Sequence, residues 1–177
     1  MSTRMLNLKI PSIPLSLFDD VDTLAITSSS FEKYQPGSWR LQIPPMKRLK
    51  KVVWVSDPSV RPKVEQKTHR EWYKLNLWIL AEMILVLPDV EFQVVNAGST
   101  ILKDPNYRYM SVTKRQKDAE QLVRLQVQQK SVGCQSYRST CVRFVELREF
   151  RNNEEWAKWF SQDEMGRWDA ISSELPV

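Results

Sequence analysis

Thr68-His69-Arg70-Glu71-Trp72-Tyr73-Lys74-Leu75-Asn76-Leu77-Trp78-Ile79-Leu80-Ala81-Glu82-Met83-Ile84-Leu85-Val86-Leu87-Pro88 is the stretch on which the architecture turns. Thr68 and Glu71 have the spacing of a capping box, in which each side chain satisfies a backbone N–H that a helix start leaves open. Tyr73, Leu77, Leu80, Ile84 and Leu87 then recur at helical spacing. Trp72, Ile79, Met83 and Val86 widen that stripe almost all round, which predicts a helix buried at the centre of its domain. Lys67, Glu71, Lys74, Trp78 and Glu82 form the polar stripe, with Glu82 facing water. Pro88 has no N–H to continue the ladder and stops the helix after Leu87.

Working outward, strand-like segments precede the helix at Trp39–Ile43 and Val52–Val55. Pro44-Pro45 between them removes two donors and belongs in a loop or at an edge. Asp57-Pro58 to Pro62 reads as a turn-rich linker. Beyond Pro88, Glu91–Val95 alternates as a strand does, Asn96-Ala97-Gly98-Ser99 turns, and Tyr107–Val112 is a further strand candidate. A second capping box, Thr113-Lys114-Arg115-Gln116, predicts a helix over 114–129. Ala119, Leu122, Val123 and Gln126 share its inner face, and Arg115, Asp118 and Gln129 are expected outside. After a loop around Gly133, Thr140–Leu147 reads as the strongest strand. Asn152-Asn153-Glu154-Glu155 caps a last helix carrying Trp156, Trp159 and Phe160, with a short helical turn near Trp168–Ile171. This order predicts an α+β domain: a small antiparallel or mixed sheet packed against a long central helix and shorter C-terminal helices.

One globular domain over residues 31–177 is the expectation for a chain of 177 residues with 42% apolar content and seven Trp, enough to build a core. Residues 1–30 read as a flexible N-terminal arm, because Pro11 and Pro14 limit regular structure and Ser28-Ser29-Ser30 marks a soft junction. Its apolar residues Leu6, Leu8, Ile10, Leu15 and Phe18 are candidates for self-association on a neighbouring subunit or for docking on their own domain. Asn7, Lys9, Pro11 and Pro14 interrupt any signal-peptide core, and the apolar run Leu77–Leu87 falls short of the roughly 20 residues of a membrane span.

Catalytic patterns are missing from the sequence. His69 is the sole histidine and lies among Lys67 and Arg70, 65 residues from Cys134 and 72 from Cys141. A zinc site or a Cys–His pair would need a closer constellation. The two Cys make no disulfide framework and read as reduced thiols. Gly-rich phosphate cradles are unexpected with four Gly in the chain. No catalytic residue, metal or cofactor is therefore assigned.

Charge carries the functional signal. From Arg40 to Lys74 ten basic residues face three acidic ones, a formal +7 in a chain whose total is +5. Within it, Met46-Lys47-Arg48-Leu49-Lys50-Lys51-Val52-Val53-Trp54 interleaves cations with large apolar side chains. Such a mix fits contact with RNA phosphates or an anionic membrane, with Met46, Leu49 and Trp54 available to stack or wedge. Arg40, Lys47, Arg48, Lys50 and Lys51 form the first candidate contact, and Lys114, Arg115 and Lys117, which oppose the dipole of their helix, form the second. A run of this kind also suits nuclear import. The segment 152–177 carries two basic and six acidic residues, and the polyanion assignment requires that it leave the first cluster unmatched.

A short, basic, Gly-poor chain with an N-terminal arm, an α+β body and the stretch Met46–Lys51 beside Pro44-Pro45 resembles, in outline over its whole length, the matrix proteins of plant rhabdoviruses of the cytorhabdovirus type. Met1–Ser16 holds only Arg4 and Lys9, where animal rhabdovirus matrix proteins carry a Lys-rich terminus. Pro44-Pro45-Met46-Lys47 lacks the Tyr of a P-P-x-Y budding motif. The resemblance implies a non-enzymatic virion structural protein that condenses the viral ribonucleoprotein, lies peripherally on the inner membrane surface in the host cytoplasm, and forms homo-oligomers. The alternative is a viral RNA-binding accessory protein, a silencing suppressor or movement protein.

Overall fold

In the structure, a computed structural model, residues 4–7, 20–31, 39–42, 46–59, 69–99, 109–131 and 142–173 are described. Among the described residues six strands are seen: β1 Arg4–Asn7, β2 Thr23–Thr27, β3 Trp39–Gln42, β4 Lys51–Val55, β5 Glu91–Val95 and β6 Val142–Val145. Four α-helices accompany them among the same residues: α1 His69–Val86, α2 Val112–Ser131, α3 Leu147–Asn152 and α4 Gln162–Ser173. Strands β2-β4-β5-β6 form one four-stranded sheet, and β1 pairs with β3 in a separate two-stranded one.

Every pairing is parallel, which corrects the antiparallel or mixed sheet expected from the sequence and makes the molecule a mixed α/β protein. The reason is in the connections. Between β4 and β5 the chain makes α1, and between β5 and β6 it makes α2, so each next strand starts from the same end as the last. Lys51 lies beside Thr23 on one side and Glu91 on the other, and Val95 beside Val55 and Val145.

Side-chain alternation then sorts two cores. Leu24, Ile26, Val52, Trp54, Phe92, Val94, Val142 and Phe144 point to the face covered by α1 and α2. Ala25, Val53, Val55, Val95 and Val145 point the other way, onto Leu147, Phe150, Phe160, Met165 and Trp168 of the C-terminal segment. Right-handed crossovers in a sheet whose strands follow chain order place successive crossover helices on one face, which is where α1 and α2 pack against each other. Among the described residues no strand follows β6, and the segment after it covers the opposite face. Trp54, Phe92 and Trp168 are almost wholly buried, each worth roughly 1.5–3 kcal/mol of burial free energy or more.

Several local expectations change. Thr23–Thr27, inside the stretch read as an arm, is the edge strand of the main sheet. Leu6 belongs to β1, whose backbone pairs with β3; Leu8, Ile10, Leu15 and Phe18 lie outside the described residues, as do Cys134 and Cys141. Of the strand expected at Tyr107–Val112, Tyr109–Ser111 form a bend and Val112 already starts α2. Ser111 takes the cap position expected of Thr113: its hydroxyl accepts from Lys114 N at 3.3 Å and its carbonyl from Arg115 N at 3.0 Å. Glu154–Lys158 is a 3₁₀ turn and not the expected last helix, which lies further on as α4. There Ser161 and Glu164 build a capping box, with Ser161 N and Oγ each donating to the carboxylate at 2.8 Å and Glu164 N donating to Ser161 Oγ at 3.2 Å.

Candidate functional site

The first basic cluster occupies a turn at the amino end of β4. Leu49 N donates to the Met46 carbonyl at 3.2 Å, which closes the turn. Its base is clamped from both neighbouring strands: Lys50 N donates to Asp22 O at 2.8 Å, and Glu91 N donates to Lys50 O at 2.9 Å. Leu49 plugs into the core below, leaving Lys47, Arg48 and Lys50 exposed around it. The alternation of cationic and apolar residues is therefore the signature of a turn entering a buried strand. Leu49 and Trp54 are core residues and are not available to wedge against a partner; Trp54 is 1% exposed.

Acidic groups surround part of this turn. Arg48 meets Asp20 at 3.0 Å, both well exposed, and Lys51 meets Glu155 at 3.5 Å. The C-terminal segment thus matches Lys51, while Arg48 has a solvent-exposed partner of the kind that contributes little. Lys47 and Lys50 stay on the outer surface with Arg48. Arg40 lies in β3, in the second sheet.

The second basic region sits at the first turn of α2. Lys114 and Lys117 are exposed, whereas Arg115, expected outside, is 4% exposed. Its Nε donates to the Met110 carbonyl at 2.9 Å, tying the bend before α2 to the helix. Burial lowers the Arg115 pKa from its ordinary value, with the charge of a nearby Tyr73 acting the other way. Helix α2 begins at the carboxyl edge of the sheet, because it follows β5 and runs back alongside it. The first cluster begins at the amino edge. The fold therefore holds the two exposed cationic groups at opposite ends, at least the roughly 16 Å length of a five-residue strand apart.

The carboxyl edge also carries a feature that reading the sequence as a turn missed. Asn96 and Ser99 at the exit of β5, Thr113 at the start of α2, and Glu146 and Arg148 at the exit of β6 line an open cleft of about 700 Å³ bordered by Asp169 and Ser172 of α4. Asn96 adopts φ 63°, a left-handed conformation that Asn tolerates better than most residues. Its Nδ2 donates to Ser56 O at 3.2 Å and its N to Val145 O at 3.0 Å, while Ser56 N donates to Val95 O at 3.0 Å. These bonds lash the ends of β4, β5 and β6 into a rigid floor. Two residues on, Gly98 passes so close to α2 that a Cβ there would lie 2.2 Å from the Val112 carbonyl oxygen. Thr113 Oγ1 donates to the Glu146 carboxylate at 2.8 Å, and Arg151 pairs with Asp169 across the rim. A strand followed by Asn96-Ala97-Gly98-Ser99 and then a helix was the signal in the sequence: short polar residues with a Gly where a strand end meets a helix start.

Among the described residues no group of three or more His, Cys, Asp or Glu side chains converges as a metal site. No helix among them is long and apolar enough to cross a membrane. Comparison with known proteins finds no matching family model, no matching curated protein and no matching solved structure.

Proposed function

We propose that this is a non-enzymatic structural protein that bridges two polyanionic partners, in the manner the matrix-protein resemblance implies: viral ribonucleoprotein on one side and an anionic membrane surface on the other. The observation that carries it is the placement of exposed cations at both ends of the sheet. Lys47, Arg48 and Lys50 stand on a turn clamped at the amino edge, and Lys114 and Lys117 on α2 at the carboxyl edge. Such an arrangement suits two contacts better than one continuous footprint. Rigid backbone anchoring supports the same reading, since the cations are presented without ordering a loop on binding.

Charge reversal separates the two contacts. Lys47→Glu, Arg48→Glu and Lys50→Glu together should abolish one contact and spare the other; Lys114→Glu with Lys117→Glu should do the converse. The measurements are RNA binding across a salt series and co-sedimentation with phosphatidylserine vesicles. For the contact that meets RNA, losing three cations should flatten the log–log salt dependence by about 2, at ~0.7 per phosphate for a single strand. Unchanged RNA and vesicle binding in both variants would overturn the proposal. RNA binding with no vesicle binding, from a chain that stays monomeric when concentrated, would favour the RNA-binding accessory reading.

A further inference from the structure

We propose that the bend Tyr109–Ser111 and the first turns of α2 form a binding surface for single-stranded RNA, in which Tyr109 stacks on a base while Lys114 and Lys117 take neighbouring phosphates. The inference rests on the polyanion-bridging reading above and gives the carboxyl-edge contact its ligand.

Tyr109 is where the surface starts. Trp54, Tyr73, Phe92, Phe150, Phe160 and Trp168 are all buried, whereas Tyr109 is 84% exposed, the one exposed ring among the described side chains. A single exposed apolar residue is ordinary; the firmness with which this one is presented is not. The Met110 carbonyl accepts from Arg115 Nε at 2.9 Å, and the Ser111 carbonyl accepts from Arg115 N at 3.0 Å. Ser111 Oγ accepts from Lys114 N at 3.3 Å. Three bonds thus fasten the two residues after Tyr109 to α2, and one of them comes from an arginine that is itself 4% exposed. The backbone that carries the ring is therefore ordered before any partner arrives, which removes part of the entropy cost of binding.

Cations stand beside this anchored bend. Lys114 and Lys117 are three residues apart on α2, neighbours on a helix surface with Cβ atoms about 5–6 Å apart. Arg115 and Ala119 turn inward, so both lysines face solvent. Neither makes an ion pair among the described residues, although Asp118 lies four positions after Lys114. The Glu146 carboxylate accepts from Thr113 Oγ1 on the cleft side of the same turn.

A ring next to free cations matches a single strand, since every base offers a π-face and stacking tolerates any sequence. A membrane would call for several exposed apolar side chains together, because such binding scales with buried apolar area. Met110 and Val112 are only partly exposed, so Tyr109 stands without apolar company. The amino edge differs on both counts: its exposed apolar residue is the aliphatic Val86 at the end of α1, and Arg48 and Lys51 there already have acidic partners.

Isothermal titration of the full chain with a twelve-nucleotide poly(A) RNA and with linear inorganic polyphosphate, which has charge but no bases, tests this. Tyr109→Ala should weaken RNA binding about 5-fold or more and leave polyphosphate binding within about twofold. Its urea midpoint should equal the parent's, and Tyr109→Phe, which keeps the ring, should bind RNA as the parent does. Lys114→Gln with Lys117→Gln should weaken both ligands and flatten the log–log salt dependence for RNA by about 1.4, at ~0.7 per phosphate. RNA binding unchanged in Tyr109→Ala overturns the inference, as does an equal loss of RNA and polyphosphate. Loss of phosphatidylserine-vesicle binding in Tyr109→Ala, with RNA affinity kept, would make the ring a membrane anchor instead. A parent protein that binds neither RNA nor polyphosphate sinks the bridging reading itself, whereas RNA binding that survives all of these substitutions sinks this surface alone.

Discussion

Two glycine-to-alanine substitutions should change stability in opposite directions, and the geometry gives both signs. At Gly98 a Cβ would sit 2.2 Å from the Val112 carbonyl oxygen, 3.0 Å from its carbon and 3.1 Å from Gln116 N. Ordinary C···O contacts lie at about 3.3 Å or beyond, so the two backbones must part by roughly 1 Å. All three obstructing atoms are main chain, so no rotamer change relieves the clash. Overpacking of this kind costs about 1–3 kcal/mol, and with helix and floor both rigid we expect ~3 kcal/mol. At ~2–4 °C per kcal/mol for a chain of this size, Tm should fall by about 6–12 °C. Gly166→Ala places its methyl in open space, with nothing within 4 Å, on the exposed side of α4. There the gain in helix propensity should stabilise by ~0.5–1 kcal/mol. Urea unfolding reads both as shifts in midpoint at constant m-value. A Gly98→Ala midpoint equal to or above the parent's would refute the close approach of the β5 exit to α2, and with it the cleft wall. A lowered midpoint for Gly166→Ala would refute the assignment of that residue to an exposed helix interior.

Further predictions rest on the second core and the caps. Trp168 is 2% exposed and stacks edge-on with Phe160 at 5.3 Å, so Trp168→Ala should cost about 3–5 kcal/mol in chemical denaturation; a loss below about 1 kcal/mol would mean α4 does not seal that face. Ser161→Ala should cost ~1 kcal/mol by opening the cap of α4, seen as a lower urea midpoint. The backbone and hydroxyl bonds from Ser161 hold the Glu164 carboxyl below its ordinary 4.5. A depressed carboxyl stabilises the fold above its unfolded pKa, and that contribution is lost as pH falls through the folded value. Parent protein should therefore lose more stability between pH 6 and strong acid than Glu164→Gln does, and parallel pH–stability curves would remove Glu164 from the cap.

Local elements were legible wherever a local cause makes them. The run from His69 to Val86 announces itself by its period and terminal Pro88, its expected cap residue Thr68 lying outside the described residues, and Glu91–Val95 coincides with β5. The capping box Ser161-Gln162-Asp163-Glu164 was equally readable and predicts α4, which a short turn near Trp168 undersells. Direction of the strands was harder. Val52-Val53-Trp54-Val55 is apolar at every position, the mark of a strand covered on both faces, and that is how parallel sheets are built. The helices between successive strands carry the same message. Charge misled where it stood close to apolar residues: Arg115 reads as a surface cation beside Lys114, but its position on α2 turns it inward toward Met110.

What the sequence determined alone is what depends on neighbours a few residues away: the helical period of α1, a proline stop, the apolar rhythm of β4 and β5, and the total charge. Tertiary structure decided the rest, because it joins residues far apart in the chain. Only the crossing of β6 to the opposite face from β5 opens the cleft between Asn96 and Arg148, and only parallel pairing sends the cations near Lys47 and Lys114 to opposite ends of the sheet. Neither separation nor convergence is written in any local stretch, since both follow from the direction in which each strand leaves the sheet.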